Sequence, residues 1–148
     1  MIKNLILAMA MLMIQLAFGN HPNPGEKSPL TTTQIEFFSG NYEDALSLAK
    51  SKNLPVFIDV SASWCPVCKR MKKEVYTDSN VAEYYNTNFV NLTIDAESEQ
   101  GKQIMERYEL KGFPSYVYLK PDAMVNFKAT GFQSAADFLK NGKNGSGK

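Results

Sequence analysis

Metal-binding side chains are scarce: the 148-residue chain has two cysteines, Cys65 and Cys68, and one histidine, His21. A structural zinc site takes about four ligands, so no zinc site is expected here. Covalent attachment of a c-type haem needs a histidine directly after Cys-x-x-Cys, and Lys69 stands in that place. Neither sign of charge is in excess, with 16 Lys and Arg against 15 Asp and Glu. That balance leaves no electrostatic footprint for nucleic acid. The chain also lacks an apolar run of the roughly 20 residues that span a bilayer. The stretch Leu5 to Phe18 follows a short basic start at Lys3 and leads into the small residues of Ala17-Phe18-Gly19. This is the pattern of a secretory signal peptide. Residues 1–19 are expected to be that signal, cleaved to leave a protein that starts near Asn20 and is exported to the periplasm or secreted. An exported chain meets an oxidising compartment in which disulfides persist.

The two cysteines lie in Trp64-Cys65-Pro66-Val67-Cys68, directly after the apolar run Leu54 to Val60, which reads as a buried strand. At a strand-to-helix junction, thiols at i and i+3 share one face of the first helical turn and can close a small disulfide ring. The free N–H groups and positive dipole end of the helix favour the thiolate of the first cysteine. Cys65 is therefore the expected nucleophile and Cys68 its resolving partner. Pro66 falls at the first helical position, where a missing N–H is harmless and the fixed φ suits the helix. A structural disulfide is a poorer use of these residues, because so short a loop constrains the unfolded chain little. Copper held by the two thiolates, helped by Met71, is a non-enzymatic alternative. Lys69, Arg70, Lys72 and Lys73 read as the solvated face of a helix whose other face carries Met71 and Val75.

After the signal, about 129 residues suffice for one compact domain. Residues 20–32, rich in proline, form a linker. Thr33 to Phe38 is a short strand, and Ser39 caps a helix in which Tyr42, Ala45, Leu46 and Ala49 recur at helical spacing. The strand Val56 to Val60 and the cysteine-bearing helix follow, and then a second helical segment capped by Asp78 or Ser79. Phe89 to Asp95 alternates as a strand, and Ile104, Met105 and Tyr108 mark another helix. Ser115 to Leu119 and Asn126 to Thr130 flank Pro121-Asp122 as a hairpin. Ser134 with Asp137 opens a last helix. Residues 141–148, mostly Gly, Asn and Lys, are expected to be a flexible tail beyond a domain of residues 33–140.

This α/β order, βαβαβαββα with the cysteine motif after the second strand, resembles the thioredoxin family. Trp64-Cys65-Pro66-Val67-Cys68-Lys69 matches the active-site segment, and Asp59, six residues before Cys65, falls where thioredoxins carry a buried acid. Gly112-Phe113-Pro114-Ser115 matches the segment ending in the cis-proline, and Gly131 the glycine after the last strand. The run from Cys68 to Tyr76 with Asp78 and Val81 is more similar to exported thioredoxin-like proteins, and to the C-terminal domain of the bacterial membrane thiol transporter, than to cytosolic thioredoxin.

The resemblance implies a thioredoxin fold, a central mixed β-sheet flanked by helices, and a thiol–disulfide oxidoreductase that needs no cofactor. Cys65 and Cys68 would form its redox-active disulfide, and Asp59 would take the proton of Cys68. Trp64, Pro66, Val67, Phe113 and Pro114 would line the substrate surface. Protein or peptide disulfides would be the substrates of a monomer drawing electrons from a membrane thiol donor. A binding protein that holds a metal or a partner through the same surface without turnover is the alternative. The chain departs from thioredoxin in carrying Pro66-Val67 between its cysteines, Ser61 where an aromatic residue is usual, and Asn91 where a lysine partners the buried acid. Without that cation, burial should hold Asp59 above its ordinary carboxylate range. Val67 also replaces the histidine of strongly oxidising relatives, which leans the reading toward reduction or exchange.

Overall fold

Val56–Ser61, the strand β1, is buried at all six positions. It runs parallel to β2 (Val90–Asp95) and antiparallel to β3 (Ser115–Leu119), which in turn pairs antiparallel with β4 (Val125–Thr130). The mixed sheet has the order β2-β1-β3-β4. The computed structural model describes residues 33–147. The signal peptide expected over residues 1–19 and the linker over 20–32 lie outside the described residues. Among the described residues five helices cover the sheet: α1 (Tyr42–Lys52), α2 (Pro66–Glu74), α3 (Ser79–Asn88), α4 (Glu99–Arg107) and α5 (Ala135–Ser146). A parallel pair needs a crossover, and α2 with α3 provides the one from β1 to β2.

Strand alternation divides the core in two. Val56, Ile58 and Val60 face Tyr42, Ala45 and Ala49 of α1 and Ile104 of α4. Phe57 points the other way, into an aromatic cluster with Met71, Tyr76, Tyr85, Tyr116, Tyr118 and Phe138. Its ring lies 4.9 Å from that of Tyr85 and 5.6 Å from that of Phe138. Asp59 is two residues beyond Phe57, on this second face, beneath the helix that carries the cysteines.

Three boundaries differ from the sequence reading. Residues 33–38 are extended but form no strand, so the order within the described residues is αβααβαββα with four strands. Ile35 N–H bonds to Tyr76 O and Phe38 N–H to Asn91 O, two different elements. The groups between them are taken by side chains: Glu36 N–H by Asn86 Oδ1 at 2.8 Å, Gln34 O by Asn86 Nδ2 at 3.0 Å, and Glu36 O by Asn91 Nδ2 at 3.2 Å. Amides that satisfy the backbone locally remove the need for a ladder. The cap of α1 is Asn41 rather than Ser39, reciprocated by Asp44 in a capping box. Finally, the expected tail from residue 141 is helical through Ser146. Gly142 and Gly145 are buried contacts there, because a Cβ at Gly145 would lie 2.3 Å from Tyr118 Cδ1 and one at Gly142 would lie 2.8 Å from Tyr85 Cε2. Asn126 Nδ2 donates to the carbonyls of Asn144 and Gly145 at the end of the helix, at 3.1 and 2.9 Å.

These contacts reverse the usual sign of a helical glycine replacement. Alanine is the better helix former by about 1 kcal/mol, but overpacking against a buried ring costs about 1–3 kcal/mol. Gly145→Ala should therefore lower the urea midpoint, whereas in a flexible tail it would leave the midpoint unchanged.

Candidate active site

Beyond β1, Ala62, Ser63 and Trp64 carry the chain to the start of α2. Cys65 is the N-cap, with extended backbone (φ −75°, ψ 111°), and Pro66 follows at the first turn. Its Sγ accepts the N–H of Cys68 at 3.1 Å, doing the work of a capping oxygen. The two cysteines form a disulfide with Cα atoms 5.3 Å apart, packed against Ala62 and Phe113. Exposure does not separate them, at 3% for Cys65 and 2% for Cys68. The helix terminus does, since only the sulfur of Cys65 sits at the positive end, and the first turn holds no acidic side chain to offset it. Lys69, Arg70, Lys72 and Lys73 are exposed, as a solvated face requires.

An apolar rim surrounds the disulfide. Trp64 is 60% exposed, and Val67 and Phe132 are also open to solvent. The Trp64 indole donates to Glu97 Oε1 at 3.0 Å and meets the Phe113 ring edge-on at 5.8 Å. The Arg70 guanidinium covers the Phe132 ring at 3.9 Å. The Phe113–Pro114 peptide bond is cis. Pro114 is buried, and its carbonyl accepts the N–H of Gly131 at 2.8 Å, tying the two loops that carry Phe113 and Phe132. All of Trp64, Pro66, Val67, Phe113 and Pro114 thus come together with the cysteines at one end of the sheet.

Asp59 is 1% exposed. Thr93, its register partner on β2, donates to Oδ2 at 3.3 Å. Burial drives the carboxyl up from its ordinary 3.8 to about 6, against opposing contributions from Lys72, Tyr76, Thr93 and Ser61. The direction matches the sequence reading, but the surroundings differ from it. Asn91 pairs with Phe57 and gives its amide to Glu36 and Asn86, whereas the cationic influence on Asp59 comes from Lys72 of α2. The sequence reading gave Lys72 to a solvated face or to the cysteine thiolate and not to Asp59, although its spacing four residues after Cys68 puts it on the same side of the helix. Thr93, Tyr76 and Glu97 were missed as well. Thr93 was recoverable from strand register, whereas nothing local marks the other two.

A profile of the thioredoxin-like domain family matches residues 42–145. A solution structure of a candidate disulphide-isomerase from Bacteroides thetaiotaomicron is similar, at 32% identity and a TM-score of 0.69, covering 76% of this chain and 93% of that one. A thioredoxin from Thermus thermophilus gives 26% identity and a TM-score of 0.67 over 74% of this chain and 85% of that one. The thiol:disulfide interchange protein DsbD of Yersinia pestis is 26% identical over 100 residues, 66% of this chain. The chain spans 17% of the length of that curated relative. With its Cys-x-x-Cys disulfide at the head of α2 and this sheet order, the chain belongs to the thioredoxin-like family of thiol–disulfide oxidoreductases. No described helix is long and apolar enough to cross a membrane.

Because folded Asp59 binds its proton more tightly than the unfolded chain does, stability falls as pH rises from about 4 to about 6 and stays reduced above that. The shift from 3.8 to about 6 corresponds to about 3 kcal/mol. Asp59→Asn should therefore be more stable than wild type at pH 8 in denaturant titrations, and this advantage should disappear near pH 4.

Proposed function

We propose that this protein is a thiol–disulfide oxidoreductase of the cell envelope that reduces or exchanges disulfides in proteins and peptides as a monomer. The observation that carries this reading is a disulfide at the positive end of α2, ringed by exposed Trp64, Val67 and Phe132. An apolar rim suits a polypeptide substrate. The export pattern of residues 1–19 supports the envelope location. DsbD is a thiol:disulfide interchange protein, and the likeness supports thiol–disulfide exchange as the source of electrons, with a membrane thiol donor as the proposed partner.

In the reduced protein the Cys65 thiolate attacks one sulfur of the substrate disulfide. A mixed disulfide forms and the other substrate sulfur leaves as thiolate. Cys68 then gives its proton to Asp59 and attacks the Cys65 sulfur, expelling the second substrate thiolate. Two electrons have passed to the substrate, and the Cys65–Cys68 bond remains for the donor to reduce. Trp64, Pro66 and Val67 present the disulfide on one side, while Phe113, held by its cis bond to Pro114, offers backbone to an extended substrate segment on the other.

Insulin reduction with dithiothreitol separates turnover from passive binding: wild type should accelerate it and Cys65→Ser should not. Cys68→Ser should accumulate mixed disulfides through Cys65, whereas Cys65→Ser should trap none. Trapping by Cys65→Ser alone would invert the assignment. Equilibration with glutathione should place the potential nearer the thioredoxin value of about −270 mV than the DsbA value of about −120 mV.

A further inference from the structure

A buried carboxylate oxygen and a buried hydroxyl beside it close no hydrogen bond. They are Asp59 Oδ1 and the Tyr76 hydroxyl, and the third among the described side chains is Asn91 Oδ1. Tyr76 lies just past α2 and is held from both directions. Its N–H closes on Met71 O at 3.0 Å, and its carbonyl accepts Ile35 N–H at 2.8 Å. The ring is set between Phe37, at 5.7 Å, and Phe138, at 5.5 Å. Phenylalanine would fill that slot without burying a hydroxyl, and an unpartnered buried hydroxyl is unfavourable. The hydroxyl therefore needs a state of the protein in which it is used.

Its neighbours indicate which state. Tyr116 stands directly opposite Asp59 in the β1–β3 register, and its hydroxyl donates to Gly131 O at 3.2 Å. The Tyr76 hydroxyl interacts with both Asp59 and Tyr116. The groups acting on Asp59 are Lys72 from α2, Tyr76 after it, Thr93 from β2, Ser61 on β1, and Tyr116 and Tyr118 from β3. Cys68 of α2 joins them in the proposed mechanism. Of these, only Tyr76 has a buried donor not already committed to another protein atom.

We infer that Tyr76 is a positioning residue for Asp59: its hydroxyl donates to Oδ1 of the ionised carboxylate, with Tyr116 as the next hydroxyl toward the Gly131 carbonyl, and so governs how readily Asp59 accepts the Cys68 proton. This rests on the reading of Asp59 as the base for Cys68. In the resting carboxylate the Tyr76 proton points at Oδ1. When Asp59 has taken the thiol proton, the phenol loses its charged acceptor, so the bond favours the ionised form of Asp59. Tyr76 stays protonated throughout, because burial and the adjacent carboxylate hold its phenol well above the ordinary range.

The test is Tyr76→Phe, which keeps the ring and removes only the hydroxyl. Asp59 is titrated by carboxyl 13C NMR in the disulfide form, where no thiol is coupled to it, and resolution of a mixed disulfide is followed across pH in single turnovers. The variant should hold its proton on Asp59 about tenfold more tightly, moving the Asp59 midpoint and the pH profile of resolution upward by about one pH unit. Relative to wild type its denaturant midpoint should fall at pH 8 and not near pH 4, whereas loss of a merely structural hydroxyl would shift it equally at both. Tyr116→Phe should move both readouts in the same direction by less. An unmoved Asp59 midpoint in Tyr76→Phe overturns the inference and leaves the base assignment standing. Wild-type resolution by Asp59→Asn overturns the base assignment itself, whatever the Tyr76→Phe titration shows, and removes the proton step that Tyr76 is inferred to serve.

Discussion

Burying the Asp59 carboxyl takes a group that water would solvate and sets it on a strand covered on both faces, with Thr93 as its one closed hydrogen bond. Such a position is unfavourable to charge, and it exists only because β1 is buried along its whole length. The same burial anchors the site. The strand that holds Asp59 under α2 also delivers Cys65 to the head of that helix, so the acid and the disulfide are fixed relative to one frame. A change that loosened β1 would release both together.

The face of β1 that carries Asp59 is aromatic. Phe57, Tyr85, Tyr116, Tyr118 and Phe138 interlock beneath it, and their hydroxyls are mutually arranged, with Tyr85 bonded to Tyr118 at 2.8 Å and to the Phe138 carbonyl at 2.8 Å. Tyrosine suits this setting because it supplies a large apolar body with a polar tip. In thioredoxin, which the chain resembles, a lysine partners the buried acid. This chain places Asn91 there, turns that amide toward residue 36 and the α3 side chain Asn86, and surrounds the acid with hydroxyl groups and the more distant charge of Lys72.

Much of this was readable from residues close together in the chain. The apolar run before Trp64, the spacing of Cys65 and Cys68, Pro66 at the first turn, and the caps Asp78 and Ser134 all express local rules. The cis bond at Pro114 was accessible only through the resemblance of its segment. What stayed hidden depends on partners far away in sequence. Residues 34–36 look like strand until Asn86, some fifty positions on, takes their hydrogen bonds. Gly142 and Gly145 look like tail composition until the rings of Tyr85 and Tyr118 are seen to need their missing Cβ atoms. Tyr76 reads as one more apolar position after α2, and its hydroxyl gains meaning only once β1 and β3 bring Asp59 and Tyr116 beneath it.

The hairpin that ends the sheet carries a consequence of its own. Phe127 faces Tyr118 and Val125 faces Leu119, so Asn126 is an extra residue with no partner opposite. Such a bulge bends a strand and redirects a side chain, and here Asn126 is turned to the end of α5. On the next residue but one, the Lys128 ammonium reaches back to the Tyr108 carbonyl at 2.8 Å. β4 is the border of the sheet, where a straight, unencumbered strand would invite another chain to add on. An interrupted register and a lysine committed to the Tyr108 carbonyl make this border a poor template, which guards the domain against edge-to-edge association.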